Sequence, residues 1–164
     1  AFVVNSFSKY FGMTGFRVGW LVAPADFVPA VERLAQNLFI CPSTPAQHAA
    51  LAAFRPETIE VLEQRRAEFR RRRDFLVPAL RELGFGIPRV PAGAFYVYAD
   101  AGRFTGDGLA FAHELLERTG VVITPGMDFG EHQAQRHVRF AYASALPRLE
   151  AGVERLGRFL RAGG

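Results

Sequence analysis

The sequence feature that most constrains the fold is a long amphipathic pattern over residues 57–83. Its apolar positions recur at steps of three and four, with charged residues between them; they are Ile59, Leu62, Phe69, Leu76, Leu80 and Leu83. This spacing predicts one long helix that buries a single face. Pro78 is expected to kink the helix near its end, and Gly84 is expected to terminate it.

Shorter strand and helix patterns precede this helix. The apolar, β-branched residues 2–6 predict a strand of a buried sheet, and residues 17–23, which end before Pro24, predict a second strand. Asp26 is expected to cap a helix, and an alanine-rich helix is expected to end near Phe54.

Further strand and helix patterns follow the long helix. Strands are predicted over residues 85–88, 94–99, 121–124 and 137–143. Asp107 is expected to cap a helix that ends at Gly120, and a last helix is expected from about Leu146. This order of strands and helices predicts an α/β or α+β fold, in which helices pack on a mixed sheet.

The composition is that of a globular protein and excludes several classes. Of the 164 residues, 49% are hydrophobic and 22% are charged, which argues against a disordered, collagen-like or coiled-coil chain. Cys41 is the one cysteine, which excludes an internal disulfide, and the four histidines lack the spacing of metal ligands, so no metal is predicted. We find no pattern of a membrane span or secretory leader, and expect a cytoplasmic protein.

The use of lysine is more informative than the net charge of +4. Lys9 is the only lysine, and the rest of the 20 basic residues are arginines. The arginine-dense residues 65–73 spread around the polar faces of the predicted helix, which indicates a solvated surface and no nucleic-acid partner. Lys9 therefore calls for a chemical explanation of its own.

Lys9 follows the first predicted strand and lies among groups that suit a phosphorylated aldehyde. An amine at a strand end can form a Schiff base with an aldehyde. The hydroxyls of Ser6 and Ser8 and the guanidinium of Arg17 are donors of the kind that bind a phosphate dianion. These groups together point to attachment of pyridoxal phosphate. On the residues alone, a strand-end lysine that faces solvent is an equal alternative.

The segment 6–19 resembles the pyridoxal-phosphate attachment signature of class I/II aminotransferases, the fold type I enzymes that include aspartate aminotransferase. The matching positions are Ser6, Ser8, Lys9, Gly12, Met13, Gly15, Arg17 and Gly19. The resemblance implies that Lys9 is the catalytic residue and carries the cofactor. It also implies that Ser6 and Arg17 contact the cofactor phosphate, and that Ser8 does so with less specificity, because that position is often required only to be small.

The resemblance continues to the end of the chain. Residues 91–96 and 121–130 are similar to the family's Pro-x-Gly-Ala-Phe-Tyr and Pro-Gly-x-x-Phe-Gly segments. Residues 137–143 are similar to the strand whose arginine, here Arg139, binds the substrate carboxylate; Ala141 stands where the family usually has serine. An unpaired guanidinium in an apolar strand is costly, and a ligand carboxylate would pair it. The alternative is a salt bridge to a protein carboxylate. Tyr96 and Tyr98 are interpreted as packing residues.

The resemblance implies the C-terminal portion of such an enzyme. Residues 1–55 are expected to be a remnant of the large cofactor-binding domain, and residues 56–164 are expected to form the small domain. The residues that contact the cofactor ring in this family lie ahead of the lysine strand, and no residue of this chain is assigned to them. We therefore expect a fragment that is inactive by itself, and a full-length parent that forms a homodimer.

The function implied by the resemblance is pyridoxal-phosphate-dependent transfer of an amino group between an amino acid and a 2-oxo acid. A lyase of the same fold, and an aminotransferase-like sensor domain of a transcription regulator, are the alternatives. Residues that read the substrate's side chain in this family lie largely outside the chain, so the sequence does not predict which amino acid is used.

Overall fold

A computed structural model describes residues 1–162. Within it the chain divides into two compact units, Ala1–Arg66 and the residues from Ala67 onward. The division into domains at residues 55 and 56 stays a prediction. Among residues 1–162, none of the helices combines the length and the hydrophobicity of a membrane span.

The first unit contains one pair of strands and two complete helices. Strand β1 (Val3–Ser6) pairs antiparallel with β2 (Gly19–Val22), and helices α1 (Val28–Leu38) and α2 (Thr44–Ala53) follow. Helix α3 (Pro56–Leu83) begins in this unit and continues into the second. Its bounds confirm the predicted long helix, and Gly84 adopts φ +105°, a conformation that suits a helix stop.

Two predictions for the first unit are wrong. All residues of β1 and β2 are exposed, so β1 does not lie in a buried sheet within residues 1–162. A β-branched run favours a strand that is covered on both faces, but within residues 1–162 the side chains on both faces of β1 stay exposed. Asp26 lies in a 3₁₀ turn, Ala25–Phe27, and does not cap α1, whose first turn holds Pro29.

The second unit is built on a three-stranded antiparallel sheet. Its strands β3 (Tyr96–Asp100), β4 (Thr124–Pro125) and β5 (His137–Ala141) lie in the order β3-β5-β4. Helices α4 (Gly108–Thr119) and α5 (Leu146–Ala162) complete the unit. Every strand pair in residues 1–162 is antiparallel, so the mixed pairing that the sequence predicts is not seen there.

Side chains on one face of this sheet form the larger hydrophobic core. Val97, Ala99 and Val138 have no exposed surface, and Phe140 is buried beside them. They pack with buried residues of α3, α4 and α5, namely Leu76, Val77, Leu80, Phe111, Leu115 and Leu156. The alternate residues of β3 and β5 point to the other face, which leaves that face for polar and aromatic groups.

The ends of α4 confirm their predicted signals. The Asp107 side chain accepts hydrogen bonds from the backbone N–H groups of Leu109 and Ala110, both at 3.0 Å. Gly120 follows the helix at φ +69°.

The strands of the second unit are shorter than predicted. Residues 85–88 contribute one bridge, in which Gly86 exchanges two 2.8 Å backbone hydrogen bonds with Asp100, and Pro88 has no N–H with which to continue it. Ala94 has φ +64°, so β3 begins only at Tyr96. The segment 121–124 is a strand only from Thr124.

Candidate active site

The loop that carries Lys9 is fixed at both of its ends by the β1–β2 pair. Ser6 is opposite Gly19 in the register, and the pairing continues as Phe7 N–H donates to the Val18 carbonyl at 3.2 Å. The residues after Ser6 and those before Gly19 therefore leave the sheet side by side. We call residues 6–18, which begin with the last residue of β1, the Lys9 loop.

Two buried side chains of the Lys9 loop pack against helix α2. Phe7 and Met13 are buried against Ala50 and Ala53 of α2. Their backbones are joined as well, because Met13 N–H donates to the Phe7 carbonyl at 3.1 Å. Lys9 is exposed and lies inside this closed segment, where the chain turns back. The loop thus presents its lysine on a supported backbone.

The two serines that precede Lys9 are in direct contact. Their hydroxyl oxygens are 2.9 Å apart, and the Ser8 N–H donates to Ser6 Oγ at 3.0 Å. Two hydroxyls and a charged amine are thereby gathered within four consecutive residues. Ser8 Oγ accepts the bond from the Ser6 hydroxyl, so the Ser8 O–H remains able to donate to an anion.

Arg17 occupies a strained backbone conformation at the other end of the loop. Its φ of +51° lies in the left-handed region, which costs a residue with a side chain about 1–2 kcal/mol. Its Nη1 donates to the Thr14 carbonyl at 2.8 Å, which holds the side chain close to its own turn. Arg17 forms no ion pair with any carboxylate of residues 1–162.

The donors of the Lys9 loop fit a phosphate-bearing aldehyde. The pairing of Phe7 with Val18 brings the segment of Ser8 and Lys9 beside the segment of Arg17. The site residues are two hydroxyls, a guanidinium and an amine, and none of them is a carboxylate that would repel an anion. Of the predicted site residues, the structure brings these four to one loop and places Arg139 in the other compact unit.

Arg139 lies in the centre of the open face of the three-stranded sheet. Tyr98 of β3 and Thr124 of β4 are its partners in the register, so the three residues form one row across the sheet. Arg139 Nη2 donates to Thr124 Oγ1 at 3.0 Å. The guanidinium also lies over two aromatic rings, with Cζ 4.8 Å from the Phe129 centroid and 5.5 Å from that of Tyr96. We call the surface formed by Arg139, Tyr96, Tyr98, Thr124 and Phe129 the Arg139 face.

Tyr96 and Tyr98, which were interpreted as packing residues, do pack against neighbouring rings, but they lie outside the core. They are 37% and 38% exposed, and strand alternation puts them opposite the buried Val97 and Ala99. Tyr98 stacks on His137 with ring centroids 5.0 Å apart. The two-residue spacing of Tyr96 and Tyr98 along the predicted strand was the sequence signal that could have placed both tyrosines on one face of the sheet.

A neighbouring arginine shows what a paired guanidinium looks like in this unit. Arg136 binds Asp100 through two hydrogen bonds, Nε to Oδ1 at 2.9 Å and Nη2 to Oδ2 at 2.6 Å. Hydrogen bonding from Arg136 lowers the pKa of Asp100 below its usual range. Arg139, by contrast, has no carboxylate partner in residues 1–162, so the alternative of an internal salt bridge does not hold there.

One atom of Arg139 is left without a hydrogen bond at a cost. Its Nε is buried and has no acceptor within residues 1–162. An unsatisfied buried donor costs about 1–3 kcal/mol. The residue thus sits at a position that stability alone does not favour, which is common for residues kept for binding.

Comparison with protein families identifies the family of this chain. The family model for aminotransferase class I and II matches residues 1–156. The chain belongs to this family. The predicted resemblance and the α/β fold class are thereby confirmed, and solved aminotransferases match the fold closely.

Named aminotransferases are similar over almost the whole chain. A valine–pyruvate aminotransferase from Mycobacterium tuberculosis is 42% identical over 160 residues, which cover 98% of this chain and 41% of that enzyme. A (5-formylfuran-3-yl)methyl phosphate transaminase from Methanocaldococcus jannaschii is 36% identical over 96% of this chain and 41% of its own length. The crystal structure of an aminotransferase from Mycobacterium tuberculosis superposes with a TM-score of 0.93 at 43% identity, over 99% of this chain and 42% of that one.

The chain spans about two fifths of the length of the curated aminotransferases that it matches. Their names cover different substrates, which agrees with the expectation that side-chain specificity is not readable from this part of the sequence.

Proposed function

We propose that the protein to which this chain belongs is a pyridoxal-phosphate-dependent aminotransferase, and that this chain supplies its lysine and its carboxylate-binding arginine. The observation that carries the proposal is the Lys9 loop, in which the only lysine of the chain follows two hydroxyls in mutual contact, beside the strained Arg17. Family membership supports the same assignment.

In the proposed site, Ser6, Ser8 and Arg17 hold the phosphate of the cofactor, and Lys9 holds its aldehyde carbon. When bound, pyridoxal phosphate supplies an electron-withdrawing ring that makes the Cα proton of an attached amino acid acidic. Once the amino group of the substrate has replaced Lys9 at the aldehyde carbon, the released Lys9 Nζ would accept that proton and later return it, as general base and general acid. The guanidinium offsets the negative charge of the phosphate, and the hydroxyls can donate hydrogen bonds to its oxygens.

Arg139 is proposed to bind the α-carboxylate of the amino acid and of the 2-oxo acid. Its guanidinium has no protein carboxylate in residues 1–162 and lies on an aromatic surface. A guanidinium binds a carboxylate through two parallel hydrogen bonds, which fixes the direction of the ligand as well as its position. The family resemblance further supports a cytoplasmic homodimer as the assembled enzyme.

The test is an amino-transfer assay on the full-length enzyme that contains these residues, supplied with pyridoxal phosphate, an amino acid and a 2-oxo acid. Lys9→Arg keeps the charge but cannot exchange the proton, and kcat is expected to fall by about 10²–10⁴-fold. Arg139→Ala is expected to raise KM for both substrates by about 10–100-fold and to leave cofactor affinity unchanged. Release of a small product in place of a 2-oxo acid would instead indicate a lyase.

A further inference from the structure

We propose that Thr124 is a positioning residue, whose hydroxyl sets the orientation of the Arg139 guanidinium for a bound carboxylate. This inference rests on the proposed role of Arg139. The two residues are direct neighbours across β4 and β5, and the 3.0 Å bond from Arg139 Nη2 to Thr124 Oγ1 joins them.

Thr124 provides the single hydrogen-bond acceptor of this guanidinium among residues 1–162. Nε is buried without a partner, and Nη1 makes no hydrogen bond within the same range. The ring contacts with Tyr96 and Phe129 attract the cation but do not fix its rotation in the plane of the group. The threonine hydroxyl is therefore the contact that sets this rotation.

The same bond leaves a suitable pair of donors for a ligand. A guanidinium has five N–H groups, and its two terminal nitrogens can grip both oxygens of a carboxylate from the end. Because Nε is buried, the side-on approach through Nε is closed. Thr124 takes one N–H of Nη2, so its second N–H and those of Nη1 remain for the carboxylate.

Threonine is well suited to this task by its own stiffness. Branching at Cβ restricts χ1, and the strand backbone at Thr124 restricts it further. The residue is half-buried, so the hydroxyl bonds to Arg139 in partial isolation from water. A serine can still make the bond, and a valine of nearly the same shape cannot.

The experiment compares Thr124→Val with Thr124→Ser in the full-length enzyme that contains this chain. We expect Thr124→Val to raise KM for the amino acid and the 2-oxo acid by about tenfold, with kcat changed by less than about twofold. Thr124→Ser is expected to stay within about twofold of the unmodified enzyme in KM, and cofactor absorbance is expected to be unchanged in both variants. Thr124→Ala serves as a second variant without the hydroxyl, in case Thr124→Val lowers the melting temperature.

Inhibition by propanoate, with propanamide as the uncharged control, gives a readout that packing alone would not change. We expect the variants without the hydroxyl to lose affinity for propanoate and not for propanamide. The inference is overturned if Thr124→Val, Thr124→Ala and Thr124→Ser all match the unmodified enzyme, or if Thr124→Ser raises KM as much as Thr124→Val. Arg139→Lys separates the two proposals: if it changes neither KM nor propanoate inhibition, the role of Arg139 itself is wrong.

Discussion

Tyr142 illustrates how a single buried residue links the sheet to a strained turn. It is 1% exposed, and its hydroxyl donates towards the carbonyl oxygens of Gly93 at 3.3 Å and Ala94 at 3.2 Å. Ala94 has φ +64°, which an alanine adopts only when its surroundings hold it there. Burial raises the pKa of Tyr142 above its ordinary value. The hydroxyl therefore stabilises the turn only while it keeps its proton.

A pH dependence follows from the raised pKa of Tyr142. The folded state holds this proton more tightly than the unfolded state, so the stabilisation is complete below the unfolded pKa of about 10 and is lost as the pH rises through the folded pKa. We expect Tyr142→Phe to lower the free energy of unfolding by about 1 kcal/mol at neutral pH. The variant should also show a smaller further loss above pH ~10 in urea unfolding.

Tyr98→Phe is the matched control, because Tyr98 is exposed and its hydroxyl makes no hydrogen bond within residues 1–162. Its unfolding free energy should follow that of the unmodified chain across the same pH range. An equal alkaline loss in the Tyr142→Phe and unmodified chains would contradict the role of Tyr142.

At the scale of an element, the β1–β2 pair depends on one close approach. A Cβ at Gly19 would lie 2.5 Å from the Asn5 carbonyl oxygen, which is backbone and cannot move aside alone. Gly15, a few residues earlier, has no atom within 4 Å of such a Cβ. We expect Gly19→Ala to destabilise the first unit by about 1–3 kcal/mol and Gly15→Ala to have little effect.

Hydrogen exchange of the β1 and β2 amides measures this difference locally. Faster exchange in Gly19→Ala than in Gly15→Ala is the expected result. Equal protection in the two variants would show that the strands are not paired in this register.

The N-terminus of α4 gives a second prediction at this scale. Asp107→Ala removes the acceptor of two backbone N–H groups, and we expect a loss of about 1 kcal/mol of unfolding free energy. Asp107→Asn keeps an oxygen at the cap and should retain most of the stability. Urea unfolding of the two variants checks the cap, and an equal loss in both would attribute the effect to charge.

Helices were predictable from the sequence where their signals are local. The period of α3 and the cap and stop residues of α4 lie within the elements themselves. The first and last residues of the strands could not be predicted in this way, because strand pairing depends on residues that are distant in the sequence. The turn at Ala94 delays the start of β3, and residues 85–88 contribute a single bridge. A strand pattern tells which residues alternate, but not which neighbours they find.

Some residues of the candidate site could likewise be predicted from the sequence, and others could not. Lys9 and Arg139 are predicted as site residues from the sequence, because their segments resemble aminotransferase motifs and because a lone lysine and a guanidinium in an apolar strand are locally unusual. Thr124 and Phe129 were missed as partners of Arg139, since they meet it only through the pairing of β4 with β5 and the turn after β4. Ordinary residue types carry no local signal of such contacts.

On the scale of the whole molecule, the first unit exposes many large apolar side chains. Val4, Leu38 and Ile40 are 79%, 76% and 80% exposed, and the exposed group also includes Phe2, Val3, Leu21, Val22, Phe27, Leu34, Phe39, Leu51 and Phe54. Apolar side chains exposed in this number mark an interaction surface or an aggregation risk. The chain also spans only two fifths of the length of its curated relatives.

We therefore predict that the 164-residue chain self-associates when it is produced by itself. Leu38→Glu is expected to weaken self-association by about tenfold or more, because one buried leucine contributes about 1.5–3 kcal/mol. Gln36→Glu adds the same charge on α1 without removing an apolar side chain, and should have little effect. Sedimentation velocity measures both, and a chain that stays monomeric at all concentrations would contradict the prediction.

The central claim is that Lys9 carries pyridoxal phosphate, and chemical trapping tests it most directly. The protein is supplied with pyridoxal phosphate, reduced with borohydride and digested, and the modified peptide is identified by mass spectrometry. Lys9 is the only lysine of the 164 residues. The account therefore predicts one pyridoxyl group on the peptide that contains Lys9, and no such group on the corresponding peptide of Lys9→Arg. A full-length enzyme that is reduced under these conditions and shows no adduct at Lys9 would contradict it.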